Sequence, residues 1–149
     1  MRIRPATIAD TEAVASIDRA AKQAALATVR WAHTPDAVRA WLGTVRIPAG
    51  DCWLAETDGV PLGYMALRDD WVEQLYVAPD VWRRGVGRAL LEHAKASGRE
   101  RLRLWCFQVN HAARAFYQRQ GFVVAKMTSG RHNEEGEPDI LFVWQNALV

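Results

Sequence analysis

The sequence has few cysteines, little net charge and no long apolar run, and each shortage removes a class of protein. Its two cysteines, Cys52 and Cys106, sit inside apolar segments with no metal-type spacing. Two buried, reduced thiols and no metal site are expected. A net charge of +2 is too small for a nucleic-acid surface. No apolar stretch approaches the ~20 residues of a membrane-spanning helix. The opening residues, MRIRPATIAD, also lack the apolar core of a secretory signal. A cytoplasmic protein with neither membrane nor nucleic-acid partner is therefore expected. Repeats, low-complexity tracts and linkers are missing too, so residues 1–149 are read as one domain.

What is present is an ordinary globular balance, 50% hydrophobic and 24% charged. Residues 1–5 alternate like a short edge strand. Thr7 and Asp10 offer N-caps for a helix with Val14, Ile17, Ala21, Ala24 and Ala25 on one face. Thr34-Pro35-Asp36 starts a second helix, which is expected to end near Gly43. Residues 51–80 read as three strands turning at Asp58-Gly59 and Asp69-Asp70 and stopped by Pro79. A helix over about 85–97 then carries Val86, Ala89, Leu90, His93 and Ala94 as an apolar stripe, with Gly98 as its C-terminal cap. RERLRLWCF alternates as a strand, residues 110–120 form a helix closed by Gly121, and FVVAKM and ILFVWQ are two last strands. The expected fold is α/β: a mixed, mostly antiparallel central sheet of about seven strands flanked by about four helices.

The stretch VWRRGVGRALLEHAK puts two glycines at the start of a good helix, where each costs about 1 kcal/mol against alanine. The free N–H groups of a first helical turn, aided by the helix dipole, bind anions. Glycine at 85 and 87 would let a phosphate approach those amides, and Arg83, Arg84 and Arg88 add positive charge. Tight packing of the helix on the sheet, with solvated arginines, is the alternative. A P-loop is excluded because G-x-x-x-x-G-K-[ST] does not occur. A Rossmann fingerprint is excluded because Leu90 stands where its third glycine would be.

With these residues in view, LYVAPDVWRRGVGRALL followed by NHAARAFYQRQGF resembles the GCN5-related N-acetyltransferase superfamily. The first segment is similar to its motif [RQ]-x-x-G-x-[GA], and the second to its asparagine–helix–tyrosine–Gly-Phe motif. Trp82 stands where that motif has Arg or Gln. The expected strand order matches over nearly the whole chain. Asn110, Ala113, Arg114 and Tyr117 also share one helix face by their spacing, which suits a thin, polar pantetheine arm; Phe116 points away into the core.

The resemblance implies acetyl-coenzyme A as cosubstrate, its pyrophosphate on Arg83, Arg84, Gly85, Val86, Gly87, Arg88 and Ala89. It implies that Leu75, Tyr76 and Val77 offer backbone groups to the pantetheine and thioester, between two parallel strands that splay apart. An amine then attacks directly, N–H near Val77 stabilises the oxyanion, and Tyr117 protonates the leaving thiolate. A lysine-like amine is roughly 99.9% protonated at neutral pH, and Glu73 is the expected base. No histidine stands at an evident pairing position, so Cys106 is read as a strand hydrophobe and not as a ping-pong nucleophile. Glu134 and Glu135 would form an acidic rim for a cationic acceptor, a small-molecule amine or a protein amine, with Trp31, Trp71 and Trp105 as aromatic walls. A solvated loop and core tryptophans are the alternatives. A non-catalytic acyl-coenzyme A sensor and a nucleotide-phosphate module are the competing functions, and a homodimer is left open.

Overall fold

The computed structural model describes residues 1–148. Seven strands form one sheet in the order β1-β2-β3-β4-β5-β7-β6. They are β1 (Arg2–Pro5), β2 (Cys52–Thr57), β3 (Val60–Arg68), β4 (Trp71–Val77), β5 (Arg101–Phe107), β6 (Val123–Thr128) and β7 (Asp139–Gln145). Four helices flank it: α1 (Thr11–Ala25), α2 (Pro35–Trp41), α3 (Val86–Lys95) and α4 (His111–Arg119). Only β4 and β5 run parallel; every other neighbouring pair is antiparallel. Among the described residues no helix is long and apolar enough to cross a membrane.

Local chemistry explains most of this order. Asp58 and Gly59 both take positive φ, the backbone that a two-residue hairpin between β2 and β3 requires. The Thr34 hydroxyl accepts from the Ala37 N–H at 3.1 Å, and proline at the first helical position costs α2 no hydrogen bond. Leu90, Leu91 and Ala94 of α3 pack with Met65, Leu102 and Phe142 on one face of the sheet. Val14 and Ile17 of α1 pack with Leu42, Leu54 and Tyr64 on the other. Truncating a fully buried leucine in either core would cost about 2–5 kcal/mol.

Three expectations need correction. Ala24 and Ala25 are exposed, and the buried stripe of α1 holds Asp18 instead, 2% exposed. Its carboxylate accepts from the Tyr64 hydroxyl at 2.6 Å and pairs with Lys22 at 2.7 Å. Gly43 does not end the second helix. The chain continues as a π-helical segment (Leu42–Arg46), within which the bare Gly43 backbone lies close against Thr11; a Cβ there would come 3.0 Å from Thr11 Cγ2. Phe116 is half-buried beside α3 and packs against the edge of the core instead of lying within it.

The parallel pair determines where the site can be. Its bottom is pinned: the Arg103 N–H donates to Asp70 O at 2.8 Å, and the Asp70 carboxylate holds Arg101 and Arg103 at 2.6 and 2.7 Å. Trp71 opposite Arg103 is the one paired position. On its other side β4 is bulged, since Val72 and Gln74 face consecutive residues of β3 and Glu73 is left over. A bulge bends its strand. Pinned below and bent above, β4 leaves β5, and a gap opens towards Val77 and Phe107.

Candidate active site

The gap opens into a cleft of about 1560 Å³. Drug-sized ligands occupy pockets of about 300–1,000 Å³, and this cleft is larger than that range.

On the wall formed by β4, the Ala78 N–H donates to Leu62 O at 2.8 Å. Backbone groups alternate sides along a strand, so those of Tyr76 face β3 and those of Leu75 and Val77 face the gap. The Val77 carbonyl is taken by the indole N–H of Trp82 at 2.7 Å, which gives the tryptophan a defined task in the motif position it occupies. The Val77 N–H faces the gap.

Above the gap, Arg83 and Gly85 both have positive φ, 64° and 84°. Left-handed residues on either side of Arg84 turn successive N–H groups into one concavity, continuous with the free first turn of α3. A Cβ at Gly85 would meet open space; one at Gly87 would stand 3.2 Å from Phe116 Cζ. Gly85 therefore serves the backbone turn, and Gly87 the approach of α3 to α4. Arg83, Gly85, Val86, Gly87 and Arg88 border the cleft, whereas Arg84 and Ala89 do not. A pyrophosphate fits this donor set of free amides and arginines.

Across the gap, Asn110 caps α4, its side-chain oxygen accepting from the Ala113 N–H at 3.2 Å. Arg114 turns back to Gln108 O at 3.1 Å. Tyr117 packs against Phe122 and Phe142 at 5.7 and 5.8 Å, and its hydroxyl makes no hydrogen bond among the described residues. Burial, with a smaller contribution from Cys106, pushes its phenol well above the ordinary value. Tyr76 across the gap is raised likewise, by burial first and then by Asp18 and Tyr117. Burial also pushes the Cys106 thiol up to about 12, so it is not a thiolate at neutral pH.

Glu73 borders the cleft, yet its two oxygens meet Arg46 Nε at 3.1 Å and Arg68 Nη2 at 2.9 Å. Arg46 is almost fully buried, so Glu73 is its counter-ion. The bulge that turned Glu73 out of register is what delivered it to these arginines. A base role for it is not supported.

The end of the cleft near Trp31 is built by contacts over a hundred residues long. Glu135 accepts from the Ala32 N–H at 3.0 Å, and Glu134 meets His33 Nε2 at 2.6 Å. The two glutamates thus strap the loop after α1 to the β6–β7 loop and are no free acidic rim. Trp31 stands edge-on to Phe107 at 5.8 Å, with Lys22 Nζ over its ring. Trp31 and Trp105 border the cleft; Trp71 lies behind, stacked on Trp105 at 6.3 Å. No sequence pattern marks His132, which pairs with buried Asp139 at 2.8 Å and lies on Trp105. The pair lies seven positions apart in the chain, and the hairpin between β6 and β7 folds them together.

The model of the Acetyltransferase (GNAT) family matches residues 12–122, and the chain belongs to that family. It is 37% identical over 71 residues to peptidyl-lysine N-acetyltransferase YiaC of Escherichia coli K12, a match covering 47% of this chain and 48% of that protein. The chain thus spans about half the length of the curated relatives it matches. The apo form of YjaB from Escherichia coli has the same fold, with TM-score 0.80, 24% identity and 96% of each chain covered. So does yncA of Salmonella typhimurium, solved with its cofactor acetyl-CoA: TM-score 0.71, 23% identity, 98% of this chain and 94% of that one covered.

Proposed function

We propose that the protein is an N-acetyltransferase that moves the acetyl group of acetyl-coenzyme A to a primary amine by direct attack, both substrates lying in the cleft at once. The gap between β4 and β5 carries this reading, with the free Val77 N–H on one wall and the Tyr117 hydroxyl on the other. Family membership supports the chemistry. Because the relative YiaC is a peptidyl-lysine N-acetyltransferase, a lysine side chain of a peptide or protein is the first acceptor to try; a small-molecule amine would obey the same chemistry.

The amine lone pair attacks the thioester carbonyl, and the oxygen that gains charge is met by the Val77 N–H. Collapse breaks the C–S bond, and Tyr117 gives its proton to the thiolate. The burial that raises the phenol keeps that proton available at neutral pH. The same burial disfavours a free thiolate, so the leaving thiol is raised as well as the phenol. The protonated Cys106 supports direct attack over an acetyl-cysteine route.

The test is thiol release from acetyl-coenzyme A in the presence of lysine peptides and a set of small amines, with the acetylated product weighed by mass spectrometry. Release coupled to acetylation of an amine is the expected result. Tight coenzyme A binding without release to any amine would leave a sensor instead.

A further inference from the structure

We propose that His132, oriented by Asp139, is the base that removes the proton from the acceptor ammonium; this rests on the transferase reading above. Asp139 opens β7 and is 2% exposed. Its carboxylate accepts from the Thr128 hydroxyl, from Asn133 Nδ2 at 3.0 Å and from His132 Nε2 at 2.8 Å. An ionised carboxylate only accepts, so the neutral imidazole in this pair has its proton on Nε2 and its lone pair on Nδ1. Among the described residues Nδ1 has no hydrogen-bond partner. The imidazole lies on Trp105 with centroids 4.4 Å apart, and its side chain, 42% exposed, borders the acceptor side of the cleft. One tautomer, one orientation and one open nitrogen are what a base requires.

The loop does not need His132 for its own fold. Asn133 Nδ2 also donates to Glu137 O at 2.8 Å, and the Glu137 N–H returns to Asn133 Oδ1 at 3.2 Å. Gly130 closes the turn against the backbone of Glu137. The charges around the imidazole are Asp139 from β7, Arg131, Glu134 and Glu135 on its own loop, and Arg103 on β5, which covers Trp71 one ring further on. From the loop after α1 comes His33, held by Glu134, and from α1 itself Lys22, held over Trp31.

The protons balance. The first leaves the ammonium for Nδ1 and passes to water, freeing the lone pair that forms the N–C bond. The second leaves nitrogen as the C–S bond breaks, and replaces the one Tyr117 gives to the thiolate.

The test is kcat/KM against pH for a lysine peptide and for the same peptide with thialysine, whose amine is less basic, in the wild type and in His132→Gln. The variant should lose about 10²-fold at neutral pH, within the range of general base catalysis, with coenzyme A affinity unchanged. Its deficit should shrink as pH rises and deprotonates the amine, and should be smaller on thialysine. An unchanged profile overturns the proposal. So does a loss equal at every pH and on both peptides, which would mark a positioning effect. His132→Asn repeats the test if the first variant melts early. A wild type that binds acetyl-coenzyme A and acetylates no amine overturns the transferase reading, and this inference with it.

Discussion

Gly87 on α3 lies against the ring of Phe116 on α4, close enough that a Cβ at 87 would stand 3.2 Å from Phe116 Cζ. The missing side chain therefore sets the distance between two helices that border the cleft. Contacts at this separation are repulsive, and overpacking typically costs about 1–3 kcal/mol.

Gly87→Val should accordingly lower both the melting temperature and coenzyme A affinity. Adding Phe116→Leu, which makes room, should restore both, as read by thermal melts and calorimetric titration. Recovery of stability without recovery of affinity would show that the side chain at 87 obstructs the phosphates directly.

The parts of the site legible in the sequence are those made by one continuous segment. Residues 82–88 bring their arginines, glycines and helix start together by local geometry alone, and Asn110 reaches the Ala113 N–H within its own first turn. Hairpins at Asp58-Gly59 announce themselves because few residues accept their φ values. Contacts distant in sequence carry no such signal. The bulge at Glu73 comes from pairing with β3, and it sends a plausible base to Arg46. Glu134 and Glu135 read as a free acidic rim because the His33 and Ala32 that occupy them lie a hundred residues earlier. Gly43 looked like a helix stop because Thr11, the residue it makes room for, is on another helix.

The Ala32 N–H needs only an acceptor oxygen from residue 135. Glu135→Gln should leave the acceptor KM near that of the wild type, while Glu135→Ala should raise it by freeing the loop after α1. Glu134→Gln should matter little, since its pair with His33 is exposed on both sides. Steady-state kinetics at low and high salt would check this. A large, salt-sensitive KM increase in the Gln variants would restore the acidic-rim reading.

Arg4 grips Asp10 through two hydrogen bonds of 2.8 Å and holds its carboxyl down at about 2. A lowered folded-state value stabilises the fold above the ordinary carboxylate value, 3.8, and that contribution is lost as pH falls through about 2. Asp10→Asn should be less stable than the wild type at neutral pH, and the difference should close on acidification. Denaturant melts over a pH series would measure it; a difference independent of pH would rule out this ion pair as the cause.

The transfer mechanism stands most directly on Tyr117→Phe, assayed for kcat beside coenzyme A affinity. Removing the hydroxyl keeps the ring against Phe122 and Phe142, so affinity and melting temperature should hardly move. Loss of the proton donor should lower kcat by about 10²–10⁴-fold where chemistry limits turnover. Thioesters whose leaving thiols are more acidic should lose less. Full kcat in the variant with acetyl-coenzyme A would contradict the mechanism and make Tyr117 only a wall of the cleft.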